Sequence, residues 1–242
     1  MHSKGDGAPR GLAQLWGLST AGARGPKPQY RITDVAAAGV AVADRLGLPG
    51  VTLEGVARQL DLTTTALYRY VDSKDDLLEL AVDAAIGPPP RVAGATWQER
   101  VGSWTHALAR RYREHPWLAG VPARGVPRRP GLYDWVEGLL SALDDAPADV
   151  DGMRLALMLD AIVRGYAGFG ADPTPAPPWL PTALEGRFPR VAAELSRNWA
   201  DPDDEIAAAI AVVLRGVCVS EDRTASLLTP PDPPADASRG AR

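Results

Sequence analysis

The segment from Leu53 to Tyr70 constrains the fold of this chain more than any other part of the sequence. Its apolar spacing predicts two short helices joined by a tight turn, the pattern of a helix-turn-helix. Ala57 is small enough for the helices to cross closely, and Leu67 supplies an apolar contact at the crossing. Asp61 occupies the turn position that usually holds glycine. Because Asp is one of the few residues that tolerate a left-handed backbone, the turn is expected to form there.

Helical patterns continue on both sides of this unit, whereas sustained strand alternation is absent from the sequence. Thr33 is expected to cap a helix that ends at Gly47, and Thr52 to cap the next. Residues 73–76 match a capping box at the start of a fourth helix. Longer helices are predicted over Trp97–His115, Leu132–Leu143, Val150–Gly165, Leu184–Asn198 and Asp203–Val219. The sequence therefore predicts an all-α protein of about nine helices.

Stretches rich in glycine and proline divide the chain, and the sharpest boundary is Gly87–Pro90. We expect a flexible basic tail over 1–29 and a three-helix domain containing the helix-turn-helix over 30–86. A larger helical domain is expected over 87–228. Residues 229–242 hold four prolines and few apolar groups, so they are expected to be disordered.

Charge and cysteine content exclude several classes of protein. The net charge is −4, and residues 31–86 hold five basic against nine acidic side chains, so nucleic-acid binding would have to rest on a local patch. Cys218 is the single cysteine, which fits a reducing, cytoplasmic location. No apolar run is long enough to span a membrane. Glycines dilute the weakly apolar residues 12–23, so export is not expected either.

The second helix of the helix-turn-helix offers such a local patch. The N-terminal turns of such a helix enter the major groove, where hydroxyl groups bind bases or phosphates and the helix N-terminus adds partial positive charge. The threonines at this position are equally explained as caps of the helix. The candidate DNA-binding residues are Thr52, Thr63, Thr64, Thr65, Tyr68, Arg69, Tyr70 and Lys74.

Residues 32–86 resemble the DNA-binding domain of the TetR family of transcriptional regulators. The resemblance is carried by three blocks: Gly47-Leu48 with Val51-Thr52 and Val56-Ala57, the run Ala66-Leu67-Tyr68-Arg69-Tyr70-Val71, and Lys74 followed by Leu77-Leu78. It implies that Tyr68 and Lys74 contact phosphates and that Thr63–Thr65 and Tyr70 face bases. Tyr70 stands where many members have His. Glu54 stands where some members have a basic residue, which leaves DNA contact from the first helix open; the alternative is a favourable acid near a helix N-terminus.

The C-terminal half is similar to the effector-binding and dimerisation domain of the tetracycline-repressor branch. The carrying residues are Trp97-Gln98-Glu99-Arg100, Tyr112 to Leu118, and Leu214-Arg215-Gly216. The resemblance implies a homodimer that pairs through its last long helices. Small and β-branched residues suited to a four-helix interface are Ala207–Ala211, Val212, Val213 and Val217.

The larger domain is rich in aromatic residues, and an apolar cavity among helices is a natural site for a small molecule. The candidate ligand-binding residues are Trp104, His106, Tyr133, Trp135 and Tyr166. The competing explanation is that each aromatic side chain is simply part of the core.

Enzymatic chemistry is not indicated. The sequence contains neither a G-x-S-x-G nor a Walker motif, and His106 and His115 lack the spacing of a zinc-binding helix. No metal site is expected from these two histidines with Glu114, and no cofactor is expected. The resemblance implies a ligand-responsive regulator, a repressor released from a palindromic DNA operator by an unidentified small molecule. The alternative is a helical sensor or interaction module that does not bind DNA.

Overall fold

The computed structural model describes residues 7–18, 29–122, 125–170, 177–195 and 202–217. Every regular element in these ranges is a helix, so the predicted all-α class is confirmed. The first five helices are α1 (Arg10–Leu15), α2 (Ile32–Gly50), α3 (Leu53–Gln59), α4 (Thr64–Leu67) and α5 (Lys74–Ile86). The others are α6 (Trp97–Glu114), a 3-10 turn (Pro116–Gly120), α7 (Pro130–Ala142), α8 (Gly152–Gly170), α9 (Leu180–Arg187), α10 (Pro189–Leu195) and α11 (Pro202–Val217). The tail over 229–242 and Cys218 lie outside the described residues.

Helix α2 begins earlier than predicted. Thr33 lies inside it, and Arg31 precedes its first residue. The Arg31 backbone N–H donates to the Asp34 carboxylate at 2.7 Å. This bond takes the place of a threonine cap, so the prediction for Thr33 is wrong. Gly47 interrupts the helix with a φ of +67°, as its glycine predicts, before one further turn reaches Gly50.

The helix predicted over Leu184–Asn198 is two helices, α9 and α10, within the described residues. The break is at Phe188, whose φ of −135° and ψ of 61° are not helical. A residue before proline is disfavoured in the α conformation, and Pro189 follows Phe188 directly.

The flexible tail predicted over residues 1–29 is wrong for residues 7–18, which contain α1. Leu12 is only 1% exposed and packs with Ala13 among the helices of the following domain. The Arg10 backbone N–H donates to Asp72 at 2.7 Å, and that of Gly11 to Asp76 at 3.3 Å. The sequence pattern missed this helix because a six-residue helix is stabilised by tertiary contacts rather than by its own propensity.

The core runs through both halves of the chain. In the first half it contains apolar side chains of α2 and α3, among them Val35, Val42 and Val56. In the second half α6, α7, α8 and α11 close around buried aromatic and aliphatic side chains, including Trp104 and Leu159. None of the described helices combines the length and apolar character needed to cross a membrane.

Candidate DNA-reading surface and ligand cavity

Helices α3 and α4 form the predicted helix-turn-helix. The Thr52 hydroxyl oxygen accepts from the Gly55 N–H at 2.9 Å, and the Thr63 hydroxyl oxygen accepts from the Ala66 N–H at 3.1 Å. Both caps are therefore present. Asp61 has a φ of +53°, the left-handed conformation expected in the turn. Ala57 is buried at the helix crossing, as the close approach of the helices requires.

Most of the candidate DNA-binding side chains lie at the surface. Tyr68 is 47% exposed. Thr64 is half-buried, and the exposed members of the set are Thr52, Thr63, Thr65, Arg69 and Lys74. A threonine that caps a helix still has its own O–H to donate, so capping and DNA contact are compatible at Thr52 and Thr63.

Tyr70 is the exception, because its side chain is only 6% exposed. Its hydroxyl oxygen accepts from the Tyr30 backbone N–H at 3.1 Å, and the Tyr30 hydroxyl donates to the Leu60 carbonyl at 2.8 Å. Tyr70 follows Leu67 by three residues, so it shares the buried face of this short helical segment. The prediction that Tyr70 is exposed and faces bases is wrong.

The acidic side chains of this domain are largely engaged within the protein. Glu54 pairs with Arg58 at 2.6 Å on the surface of α3. Asp44 accepts from the Trp117 indole and lies 2.7 Å from the His115 ring, and Asp76 is buried at the start of α5. The other acids with hydrogen-bond or ion-pair partners are Asp34, Asp72, Glu79 and Asp83. Each carboxylate keeps its charge, but these contacts orient it toward groups of the same chain and weaken the field that it projects toward a ligand such as DNA.

A cavity of about 370 Å³ lies among α5, α6, α7 and α8. Trp104, Tyr133 and Trp135 line it, so three of the five candidate ligand-binding residues come together. His106 does not: it is exposed, and its Nδ1 lies 2.7 Å from the Gly102 carbonyl oxygen. Tyr166 is also outside the lining, because two residues rotate a helix by about 200° from the face of Arg164, which lines the cavity.

Two tryptophans fix the aromatic wall of this cavity. The Trp104 indole N–H donates to the Trp135 carbonyl at 2.9 Å, and the Trp135 indole N–H donates to the Gly87 carbonyl at 2.9 Å. Their rings meet edge to face with centroids 5.5 Å apart. Two hydrogen bonds thus fix the wall, and the second one attaches it to Gly87, where the two halves of the chain meet.

A polar cluster on one side of the cavity was not anticipated from the sequence. The Tyr112 hydroxyl donates to Asp160 at 2.9 Å, and Arg164 lies 3.4 Å from the same carboxylate. Burial, and then the Asp160 charge, raise the pKa of the Tyr112 phenol, so it remains a donor at neutral pH. The spacing of Asp160 and Arg164 by four residues, on a helix whose one other charged residue is Arg154 in its first turn, is the signal that could have found them.

Asp83 contributes a second polar group to the cavity, from the last turn of α5. It accepts from the Gly131 N–H at 2.9 Å, near the start of α7. Burial raises the pKa of this carboxyl, while the Gly131 bond and the charge of Arg129 oppose that shift. Arg129 also lines the cavity and pairs with Glu79 of α5 at 2.9 Å. The cavity therefore touches the helix that ends the helix-turn-helix domain.

The outer surface of α8 and α11 is apolar. Leu157 is 67% and Val212 60% exposed, and Met158 is also exposed. Of the residues proposed from the sequence for pairing, Ala207, Ala208, Ala211 and Val212 are exposed, while Val213 and Val217 are half-buried against the core. Ile210, which falls inside the proposed stretch, is buried within the chain itself.

The chain thus combines a helix-turn-helix with a larger helical domain that contains a cavity, and this places it in the class of two-domain helix-turn-helix proteins. No protein-family model matches the chain. The HTH-type transcriptional repressor DrrR1 of Streptomyces coeruleorubidus is 32% identical over 162 residues, which are 65% of this chain and 60% of that protein. The chain matches between 51% and 60% of the length of its curated relatives, which are named as transcriptional regulators.

Solved structures show the same architecture. A possible TetR family transcriptional regulator from Streptomyces coelicolor A3(2) superposes with a TM-score of 0.62 at 24% identity, covering 76% of this chain and 96% of that one. ActR of Streptomyces coelicolor, solved in complex with actinorhodin, gives a TM-score of 0.66 at 18% identity, covering 79% and 96%. The chain therefore has the fold of the TetR family and is related in sequence to helix-turn-helix transcriptional regulators, as the resemblance predicted.

Proposed function

We propose that this protein is a homodimeric, cytoplasmic transcriptional repressor, which a small molecule releases from a palindromic DNA operator. The observation that carries the proposal is the surface of α4. Its capped N-terminus presents Thr63 and Thr65 beside exposed Tyr68 and Lys74, and the Asp72 carboxylate nearby pairs with Arg10. In this proposal residues 30–86 bind DNA, and residues 87–228 bind the effector and pair the two chains.

Each exposed group has a defined role at the DNA. Thr64 and Thr65 lie in the first turn of α4, where a recognition helix reaches base edges with hydroxyl and methyl groups. Tyr68 and Lys74 flank that helix and contact phosphates, which fixes its register in the groove. Thr52, Thr63 and Arg69 complete the surface. Glu54 is not required to contact DNA in this arrangement, because its carboxylate pairs with Arg58.

Pairing through α8 and α11 follows from their exposed apolar faces, since contiguous apolar surface on a folded protein marks an interaction site. Two copies related by a two-fold axis would present two α4 helices, so the half-sites should lie about one helical turn, ~34 Å, apart.

The effector would occupy the cavity beside α5. Aromatic walls suit a flat apolar molecule, and the Tyr112, Asp160 and Arg164 cluster offers hydrogen bonds to a polar group on it. The complex of ActR with actinorhodin supports a ligand site in this fold. Release requires that the ligand bind the DNA-free arrangement more tightly than the DNA-bound one. The regulator names of the sequence relatives support a role without catalysis.

Selection from a random duplex library, followed by mobility-shift titration of the recovered sequence, tests the proposal. Wild-type protein should recover a palindrome, and its affinity should fall steeply with salt. Lys74→Ala should weaken every duplex, whereas Thr65→Ala should change base preference. Arg190→Ala, which removes an exposed positive charge on α10, is the control and should leave binding unchanged. Recovery of no sequence by a folded dimer would overturn DNA binding in favour of a sensor without it.

A further inference from the structure

We propose that the segment Arg10–Trp16, termed the strap, couples the wall of the ligand cavity to the C-terminal end of α4. Arg10 positions α4, and Trp16 moves with the wall of the cavity. The inference rests on the proposed function and names the path by which ligand binding would reach the DNA-reading surface.

At one end, the strap holds the carbonyl end of α4. Arg10 Nη1 donates to the Tyr68 carbonyl at 3.0 Å and to the Arg69 carbonyl at 3.2 Å, and the same guanidinium pairs with Asp72 at 3.7 Å. A cation at a helix C-terminus satisfies carbonyls that have no partner within the helix. Because α4 has only four residues, its stability depends on such outside contacts.

At the other end, the strap touches the wall of the cavity. The Trp16 indole N–H donates to the Arg128 carbonyl at 2.7 Å, and its ring lies 5.7 Å from that of Tyr133 between centroids. Tyr133 lines the cavity, and its hydroxyl donates to the carbonyl of Pro127, another lining residue. A ligand that displaces residues 127–133 therefore displaces the surface on which Trp16 rests.

Between its ends, the strap is packed too closely to absorb such a movement. Leu12 is buried, and the Gly11 N–H donates to the buried Asp76 carboxylate. A β-carbon at Gly11 would lie 2.8 Å from Leu80 Cδ1 and 3.1 Å from both Asp76 carboxylate oxygens. The strap thus lies against α5 without free space at Gly11, and in this proposal a shift at Trp16 is transmitted to Arg10 through that contact.

Amide hydrogen exchange on the full chain tests this coupling without a ligand or DNA. Trp16→Ala should increase exchange over residues 64–72 by about fivefold, the effect of losing one ordinary hydrogen bond, although the Trp16 hydrogen bond and ring contact are with Arg128 and Tyr133. Arg10→Ala should do the same. The exposed Gln14→Ala on the same helix is the control and should leave exchange unchanged. Gly11→Ala tests the packing of the strap against α5 and should increase exchange over residues 64–72 in the same way. If Trp16→Ala alters exchange only over residues 127–133, the strap is a local cover and the proposal is wrong.

A double-mutant cycle on the duplex recovered by selection provides the second test. Trp16→Ala and Tyr133→Ala should each weaken duplex binding, and the double variant should be no weaker than the worse single one, because both break the same link. Additive losses, or no loss, would overturn the coupling. If wild-type protein recovers no duplex, the proposed DNA-binding function fails. The exchange experiment still decides whether the strap couples the cavity wall to α4.

Discussion

Tyr70 and Tyr68 provide a matched pair for testing which aromatic side chain faces DNA. Tyr70→Phe keeps the buried ring and removes the hydroxyl that accepts from the Tyr30 N–H. Losing one ordinary hydrogen bond costs about 1 kcal/mol of unfolding free energy. For a chain of this length that lowers the Tm by about 2–4 °C. Duplex affinity and base preference should not change, because the ring does not reach the surface.

Tyr68→Phe should behave in the opposite way. Its side chain is 47% exposed, so removing the hydroxyl leaves no buried group without a partner and the Tm should hold. Loss of a hydrogen bond to a charged phosphate should weaken duplex binding by about tenfold. Thermal unfolding and mobility-shift titration of both variants measure the two effects. Altered base preference in Tyr70→Phe at unchanged Tm would refute the inward placement of Tyr70.

Two further predictions concern the exposed face of α11 and the wall of the cavity. Val212→Glu places a charge on the exposed face of α11 and should convert a dimer into a monomer in light scattering, whereas Glu185→Gln on exposed α9 should leave the mass unchanged; a dimeric Val212→Glu protein would contradict pairing through this face. Burial raises the pKa of Asp83, so the folded state retains its proton more tightly and the free energy of unfolding falls as pH rises above the ordinary value of 3.8. Asp83→Asn keeps an acceptor for the Gly131 N–H and should therefore raise the Tm at neutral pH, with the gain shrinking as pH approaches 3.8; an equal gain at both pH values would exclude the carboxyl as its cause.

The features that local chemistry dictates could be predicted from the sequence. The caps at Thr52 and Thr63 and the left-handed turn at Asp61 depend on residues within one turn of the chain, and the structure has all three. The inward face of the helix-turn-helix follows from helical periodicity in the same way. Ser73 likewise caps α5, although Asp76 reaches back to the Asp72 N–H at 3.0 Å rather than to that of Ser73.

The errors arise where distant segments decide the outcome. Tyr70 turns inward because Tyr30 offers it a partner from forty residues away, and α1 forms because the Asp72 and Asp76 carboxylates accept from its first N–H groups. The cavity cluster joins side chains of α6 and α8 that no single helix pattern connects. His106 is a candidate from the sequence because it lies in a helix with aromatic residues that line the cavity. It is exposed, because two residues along a helix from Trp104 point to the opposite face.

The positive patch at α4 is small and lies in a domain with more acidic than basic side chains, and this has a consequence for the kinetics of DNA binding. A positive patch confined to α4 and Lys74 reaches its full set of phosphates only when the helix lies in register, so counterion release is large at the operator and smaller on arbitrary sequence, where that release holds most DNA-binding proteins between targets. Occupancy would then depend on hydroxyl and tyrosine contacts made only in register. Such a protein should spend little time on unrelated DNA and should distinguish its own site mainly by how slowly it leaves.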